Sequence, residues 1–176
     1  PAGYYSFLQT DASINLGNSG GPLLDMQGRV IGISTAIRAQ ANNIGFAIPI
    51  DMVKELLPRL LEDGKVRRSA VGIVVSLVEP QDVKRLGLGG RTGALVRRVL
   101  PGGPADRAGL RADDVIVAFD GEAISGPEKL RWKASLAGVN EQVALRVVRG
   151  GRTFDLSVTL GELPAPKPQP RSLFWP

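Results

Sequence analysis

Two runs near the C-terminal end alternate apolar and polar residues at period two. The first carries Val143, Leu145 and Val147; the second carries Phe154, Leu156, Val158 and Leu160. Gly150-Gly151 lies between them. A period of two puts every second side chain on one face, and paired glycines between two such runs signal a tight hairpin. The chain must therefore build a sheet with one strongly apolar face. Aromatic residues make up only 5% of the sequence, so Val, Leu, Ile and Ala have to fill the core. With 22 glycines and 13 prolines in 176 residues, the chain is turn-rich. It stays below the roughly 25–30% that marks low complexity.

The rest of the chain divides into two units and a tail. Ser6 to Thr10 reads as a short strand with nothing before it to pair with, so residues 1–50 alone are expected to be poorly ordered or to pair with another copy, because open strand edges seek partners. Val30 to Ile37 is a β-branched run after the turn signal Asp25-Met26-Gln27-Gly28, and Gly45 to Pro49 is a second short strand. A helix follows, with Asp51 as its expected N-cap and Gly64 as its stop. Val53, Leu56, Leu57, Leu60 and Leu61 form one apolar stripe, and Pro58 is expected to kink or break the helix. Arg67-Arg68-Ser69 reads as a linker.

From Ala70 a second β-rich unit begins. Strands are expected at Val71 to Val78, Gly93 to Val99 and Val115 to Phe119, with Asp120-Gly121 as a turn. Short helices are expected at Pro104 to Gly109 and Pro127 to Ala137. The boundaries are residues 1–66, 67–161 and a tail over 162–176. Pro164, Pro166, Pro168 and Pro170 recur every second residue there, without the three-residue spacing of an SH3 ligand. The tail reads as an extended segment.

Composition removes several function classes. The chain has no Cys and no His. No disulfide or thiolate metal site can form, and the commonest metal ligand and neutral-pH base is missing. No metal or other cofactor is expected, and a Ser-His-Asp triad cannot be assembled from these residues alone. The net charge is +5, but the arginines are scattered and no basic stripe with interleaved aromatics suggests nucleic acid. No apolar run reaches the roughly 18 residues of a membrane span. Pro1 to Tyr5 lacks the charged and apolar regions of a signal peptide. Asp113-Asp114 is expected to be a solvated pair without metal-loop spacing, and Trp132 a partly exposed packing residue.

Gly17-Asn18-Ser19-Gly20-Gly21-Pro22-Leu23 is the segment richest in chemistry. A nucleophilic serine needs its hydroxyl presented on a tight turn, with free backbone N–H groups beside it for an oxyanion. Flanking glycines permit that backbone. The amides of Gly17 and Ser19 would point at the oxyanion. An ordinary glycine-rich turn is the simpler reading of such a string. A phosphate loop is disfavoured, because no Lys-Ser/Thr follows.

The wider stretch from Gln9 to Leu24 resembles the nucleophile region of HtrA/DegP-type, trypsin-like serine proteases. Val30 to Ala36 and Ile44 to Pro49 match the same family in order and spacing, and the resemblance spans about residues 4–161. It implies a mainly β fold with a few helices: the second-barrel portion of a chymotrypsin-like protease domain, followed by a PDZ domain. By this resemblance Ser19 is the nucleophile, and Gly17, Asn18 and Ser19 form the oxyanion loop. Ile14 and Ile37 line the specificity pocket, favouring small or medium aliphatic side chains, and Arg38 to Asn43 helps shape it. Leu16 departs from the family's usual Pro or Arg.

The family's His and Asp lie in an N-terminal barrel that precedes this stretch. The resemblance places Lys54 and Lys65 away from the nucleophile, so neither is expected to replace the His. The resemblance implies a parent serine endopeptidase for unfolded or misfolded proteins, acting in protein quality control in the periplasm or another extracytoplasmic space, often as a trimer. The 176 residues alone are expected to be inactive. The alternative is a non-catalytic peptide-binding module or an inactive protease homologue.

Residues 67–161 resemble an HtrA-type PDZ domain through Ala70-Val71-Gly72-Ile73, Gly93 to Val96, Pro104 to Leu110, Asp113 to Ile116 and Asp120-Gly121. A C-terminal peptide would add to the edge of the strand Ile73 to Leu77, beside the helix near Leu130. Val71, Gly72 and Ile73 would offer amides to its carboxylate, and glycine at 72 would keep that path open. Ile73, Val75, Leu130 and Ala134 would line the apolar pocket. The competing reading makes these apolar residues core. Arg68 reads as a solvated linker charge that could also attract the carboxylate.

Overall fold

The computed structural model describes residues 7–15, 17–37 and 44–163, with residues 36 and 37 described by their main chain. The chain forms two compact units, Pro1–Val66 and Arg67–Pro176.

The first unit is a four-stranded antiparallel sheet in the order β1-β4-β3-β2, where β1 is Leu8–Thr10, β2 Pro22–Leu24, β3 Val30–Ile37 and β4 Gly45–Pro49. The strand expected to lack a partner has one: Leu8 pairs with Ala47 and Thr10 with Gly45. The sheet closes around a close approach at Gly32, where a Cβ would lie 2.9 Å from the Ile48 carbonyl oxygen.

Helix α1, Ile50–Asp63, follows directly. Its N-cap is Pro49, without a side-chain cap; Asp51 sits in the first turn instead, where its charge complements the helix dipole. The helix runs unbroken through Pro58, against expectation. Proline removes the bond to the carbonyl four residues back, here that of Lys54. Both residues are solvent-exposed, so water can take that carbonyl. Gly64 ends the helix at φ 66°, donating to the Leu60 carbonyl at 3.1 Å, a left-handed stop that glycine adopts without strain.

The second unit contains β5 (Ser69–Ala70), β6 (Ile73–Leu77), α2 (Pro80–Arg85), β7 (Ala94–Val99), α3 (Pro104–Arg107), β8 (Val115–Phe119), β9 (Glu122–Ala123), α4 (Pro127–Leu136), β10 (Gln142–Arg149), β11 (Arg152–Thr159) and β12 (Gly161–Glu162). The main sheet runs β11-β10-β8-β7-β6, with β9 on β8; β5 and β12 pair separately. All pairs are antiparallel. The β10–β11 hairpin turns at Gly150 and Gly151, both at positive φ (53° and 77°), as its two-residue turn requires.

Both faces of this sheet are covered. Ala94, Val96, Ile116, Leu145, Val147 and Val158 point into the main core with Val71, Val75, Leu130 and Ala134. The alternate residues Leu95 and Val115 pack on the other face with Leu86, Leu88 and Val148. The alternation that predicts one apolar face thus serves two cores, because period two aims neighbours in opposite directions. Trp132 is 9% exposed, more deeply placed than the sequence suggests.

The expected linker is structured. Ser69 pairs with Glu162. Its hydroxyl donates to the Ala134 carbonyl at 2.6 Å and accepts from the Gly138 amide at 3.1 Å, satisfying the C-terminus of α4. The Leu163 amide donates to the Arg68 carbonyl, so the segment beyond residue 161 starts paired. The proline repeat of the tail lies outside the described residues.

The carboxylates of the second unit are also better engaged than expected. Asp114 is fully buried and takes a two-pronged contact from Arg149, Nε at 2.6 Å and Nη2 at 2.7 Å, plus the Arg111 amide at 2.8 Å. Its neighbour Asp113, at φ 70°, binds Arg85. Helix α2 escapes the sequence reading. Its capping box joins Glu79 and Asp82, and the buried Asp82 carboxylate also contacts Arg85 and Arg97.

Candidate functional site

Two consecutive turns shape the segment around Ser19. The Asn18 amide donates to the Asn15 carbonyl at 3.0 Å, and Gly17, third in that turn, has φ 102°. The Gly21 amide donates to the Asn18 carbonyl at 3.0 Å, and Gly20, third in the second turn, has φ 87°. A positive φ at the third position is the type II requirement that selects glycine. Ser19 occupies the second position of its turn and is solvent-exposed.

The second turn is clamped to β3. Gly20 donates to the Ser34 carbonyl at 2.7 Å, and the Ser34 amide donates to Gly21 at 2.9 Å. Asn18 adds a side-chain bond, Nδ2 to the Ser13 carbonyl at 3.3 Å. Ser34, 6% exposed, is an anchor that the sequence reading misses; its position in a β-branched run carries no signal of that role.

The donors divide cleanly. Asn18 spends its amide inside the loop. Among the described residues, neither the Gly17 amide nor the Ser19 amide donates a hydrogen bond. Two free amides flank a tied one, beside an exposed hydroxyl. Such a pair can receive a developing oxyanion.

The two expected pocket residues converge on Gly45. Ile37 pairs with Gly45 across β3 and β4. The Ile14 side chain lies against the same glycine, so a Cβ there would be 2.6 Å from Ile14 Cδ1. The side chain of Ile37 and the loop Arg38 to Asn43 lie outside what is described, as does Leu16.

In the second unit, β6 ends the sheet, and α4 lies beside its outer edge. Arg131 Nη2 donates to the Val75 carbonyl at 3.3 Å, and a Cβ on Gly126 would touch Leu77 Cδ2 at 3.5 Å. Val71, Val75, Leu130 and Ala134 are between 2% and 7% exposed and belong to the main core, while Ile73 is half-buried against it. These four side chains pack in the main core, and of the expected pocket residues Ile73 keeps an open side.

The loop before β6 has free donors. Among the described residues, the Val71 and Gly72 amides make no donor contact, while their carbonyls accept from Ala105 and Leu100 at 2.9 Å each. Gly72 has φ 81°, and a Cβ there would lie 3.1 Å from Pro104 Cδ. Backbone conformation and this close approach account for the glycine. Arg68 is not a solvated linker charge: its Nη1 donates to Ser135 Oγ at 3.2 Å.

Comparison with known proteins joins the two sites. The PDZ domain family matches residues 69–160, and the Trypsin family matches residues 3–57. The putative serine protease HhoA of Synechocystis sp. is 44% identical over 168 residues, covering 91% of this chain and 43% of that protein. A probable periplasmic serine endoprotease DegP-like protein of Chlamydia trachomatis is 42% identical over 164 residues, covering 92% of this chain and 33% of that protein. The solved structure of the HtrA-type protease AlgW with tripeptide superposes with a TM-score of 0.80 at 37% identity, over 92% of this chain and 55% of that one. The chain thus spans about half or less of the length of these relatives. Its fold is mainly β, a trypsin-like segment followed by a PDZ domain. The chain belongs to the PDZ domain family over its second unit and, through the trypsin-like segment joined to it, to the HtrA/DegP-type serine proteases.

Proposed function

We propose that the chain is the nucleophile-bearing part of an HtrA-type serine endopeptidase. In this reading Ser19 Oγ attacks the carbonyl carbon of a peptide bond. The carbonyl oxygen becomes an oxyanion between the Gly17 and Ser19 amides, with Asn18 holding the loop between them. The observation that carries the reading is the split among these three amides: one tied to Asn15, and two that donate no hydrogen bond among the described residues.

The hydroxyl proton needs an acceptor. The 176 residues include no histidine, so by themselves they hold no imidazole for that proton. The same absence favours the second reading, a peptide-binding module without catalysis of its own. Ile14 and Ile37 around Gly45 would form an apolar pocket for small or medium aliphatic side chains. The PDZ unit would take apolar C-terminal peptides by strand addition to β6, with the peptide carboxylate at the amides of Val71, Gly72 and Ile73. Substrates would be unfolded or misfolded proteins met outside the cytoplasm, in protein quality control. Relatives named periplasmic endoproteases support that location. A trimer is the proposed assembly, on family resemblance.

The test is a chimera. The part of HhoA that precedes the matched stretch is fused before residue 1, and casein turnover is followed. The expected result is turnover that falls by roughly 10³-fold or more in Ser19→Ala, with none from the 176 residues alone. A folded chimera whose turnover survives Ser19→Ala would overturn the assignment, and Ser19-dependent turnover by the chain alone would overturn its predicted inactivity.

A further inference from the structure

We infer that Arg131 makes the cleft between β6 and α4 selective for C-terminal peptides bearing a carboxylate side chain opposite Val75. The inference rests on the reading of that cleft as a peptide site and adds a ligand chemistry to it.

Arg131 is half-buried on α4, and among the described residues its hydrogen bond is the one to the Val75 carbonyl. Among the described residues no carboxylate pairs with it. The other cations of the helix are matched: Lys129 and Lys133 both bind Glu122, at 2.9 and 2.6 Å. Glu128, one turn before Arg131, makes no ion pair with it among the described residues. A guanidinium partly withdrawn from water and satisfied only by a neutral carbonyl is electrostatically under-served, because its stronger partner is a carboxylate with two oxygens.

The bonded carbonyl matters as much as the cation. An edge-strand residue sends its N–H and C=O to the same side in antiparallel pairing. The Val75 carbonyl faces α4 and not β7, so it is an acceptor that an added strand must use. Arg131 therefore stands in the path of that strand. Its 3.3 Å contact is at the long end of the hydrogen-bond range and yields readily. Once displaced, the guanidinium remains beside the peptide residue opposite Val75. If the peptide carboxylate seats at residues 71–73, that residue is two before the C-terminus. Glu or Asp there would replace the lost carbonyl bond with an ion pair; a neutral residue would leave the cation uncompensated.

The test uses the whole 176-residue chain and labelled hexapeptides ending Leu-Glu-Ala-Val or Leu-Gln-Ala-Val, each also as its C-terminal amide. Binding is measured for the unaltered protein, Arg131→Ala and Arg131→Lys, with circular dichroism to confirm the fold. The unaltered protein should prefer the Glu peptide by about three- to tenfold, the range of a partly exposed ion pair. Arg131→Ala should lose that preference while binding the Gln peptide at least as well as before. Arg131→Lys should keep part of the preference. An unchanged Glu/Gln ratio in Arg131→Ala, or no preference in the unaltered protein, overturns the role of Arg131 even where amidation weakens binding. Equal binding of the amidated peptides overturns the site itself, and the inference with it.

Discussion

At the scale of single residues, Asp114 shows how far environment outweighs sequence position. Two adjacent aspartates read as a solvated pair, yet one is fully buried and gripped by Arg149, whose own side chain is 32% exposed. Charges are buried only when paired and hydrogen-bonded, and the partner lies 35 residues away, so the local sequence cannot reveal it. Removing the carboxylate would leave the Arg111 amide without its acceptor and Arg149 with the neutral Gly109 carbonyl in place of its ion pair. Asp114→Ala should destabilise the second unit by roughly 2–3 kcal/mol, below the cost of breaking a fully buried pair because Arg149 keeps access to water. Urea denaturation followed through Trp132 fluorescence measures this, and a loss under about 0.5 kcal/mol, the scale of a surface pair, would contradict it. The turn around Ser19 is the opposite case. There the glycines are themselves the local signal, since a positive φ at the third turn position selects them, so the paired turns are legible in the order of residues, while the role of Ser19 comes only with the family resemblance.

At the scale of elements, strands are easier to read than helices. Alternation and β-branched runs locate β3, β7, β8, β10 and β11 to within a residue or two. Helix α2 has too few residues for a period to show, and β12 is only two residues long, defined by its pairing with β5 alone. α2 is held by charge. Asp82, hydrogen-bonded to Arg85, and Asp113, also hydrogen-bonded to Arg85, both have carboxyls lowered from their ordinary value. Glu122 is lowered by Lys133 and Lys129. A carboxyl with a lower value folded than unfolded adds stability above its unfolded value, and loses it as the pH falls through the folded one. The urea midpoint of the second unit should therefore stay level from about pH 8 to 5 and drop below about pH 4. Asp82→Asn should flatten part of that drop. A midpoint unchanged between about pH 5 and 3 would contradict this account of α2.

At the scale of the molecule, the two units are unequally built. Ala47 is the one buried apolar residue among the described residues of the first unit, where Leu24, Met26, Val30, Ile31 and Leu61 stay exposed, Met26 to 97%. The second unit buries two clusters, one on each face of its sheet. Burial of apolar area is the dominant favourable term in folding, so the units should not unfold together. Hydrogen exchange should find β3 and β4 exchanging long before β10 and β11, and urea should give two transitions. One coincident transition would contradict this. The sequence predicts the β-rich units and the motif at Ser19. It does not separate groove from core at Val75 and Leu130, because both lie on elements whose apolar face serves either purpose. Arg131 carries no sequence mark at all: its place on the β6 edge exists only once α4 is docked.

In the proposed reading the Gly17 and Ser19 amides await an oxyanion beside a nucleophilic hydroxyl. A crystal structure of the HhoA chimera treated with a peptidyl boronate bearing a small aliphatic side chain tests it most directly. Boron should be bonded to Ser19 Oγ, with one boronate oxygen about 2.7–3.1 Å from both amides. Boron bonded elsewhere, or an adduct at Ser19 whose oxygens avoid those two amides, would contradict it.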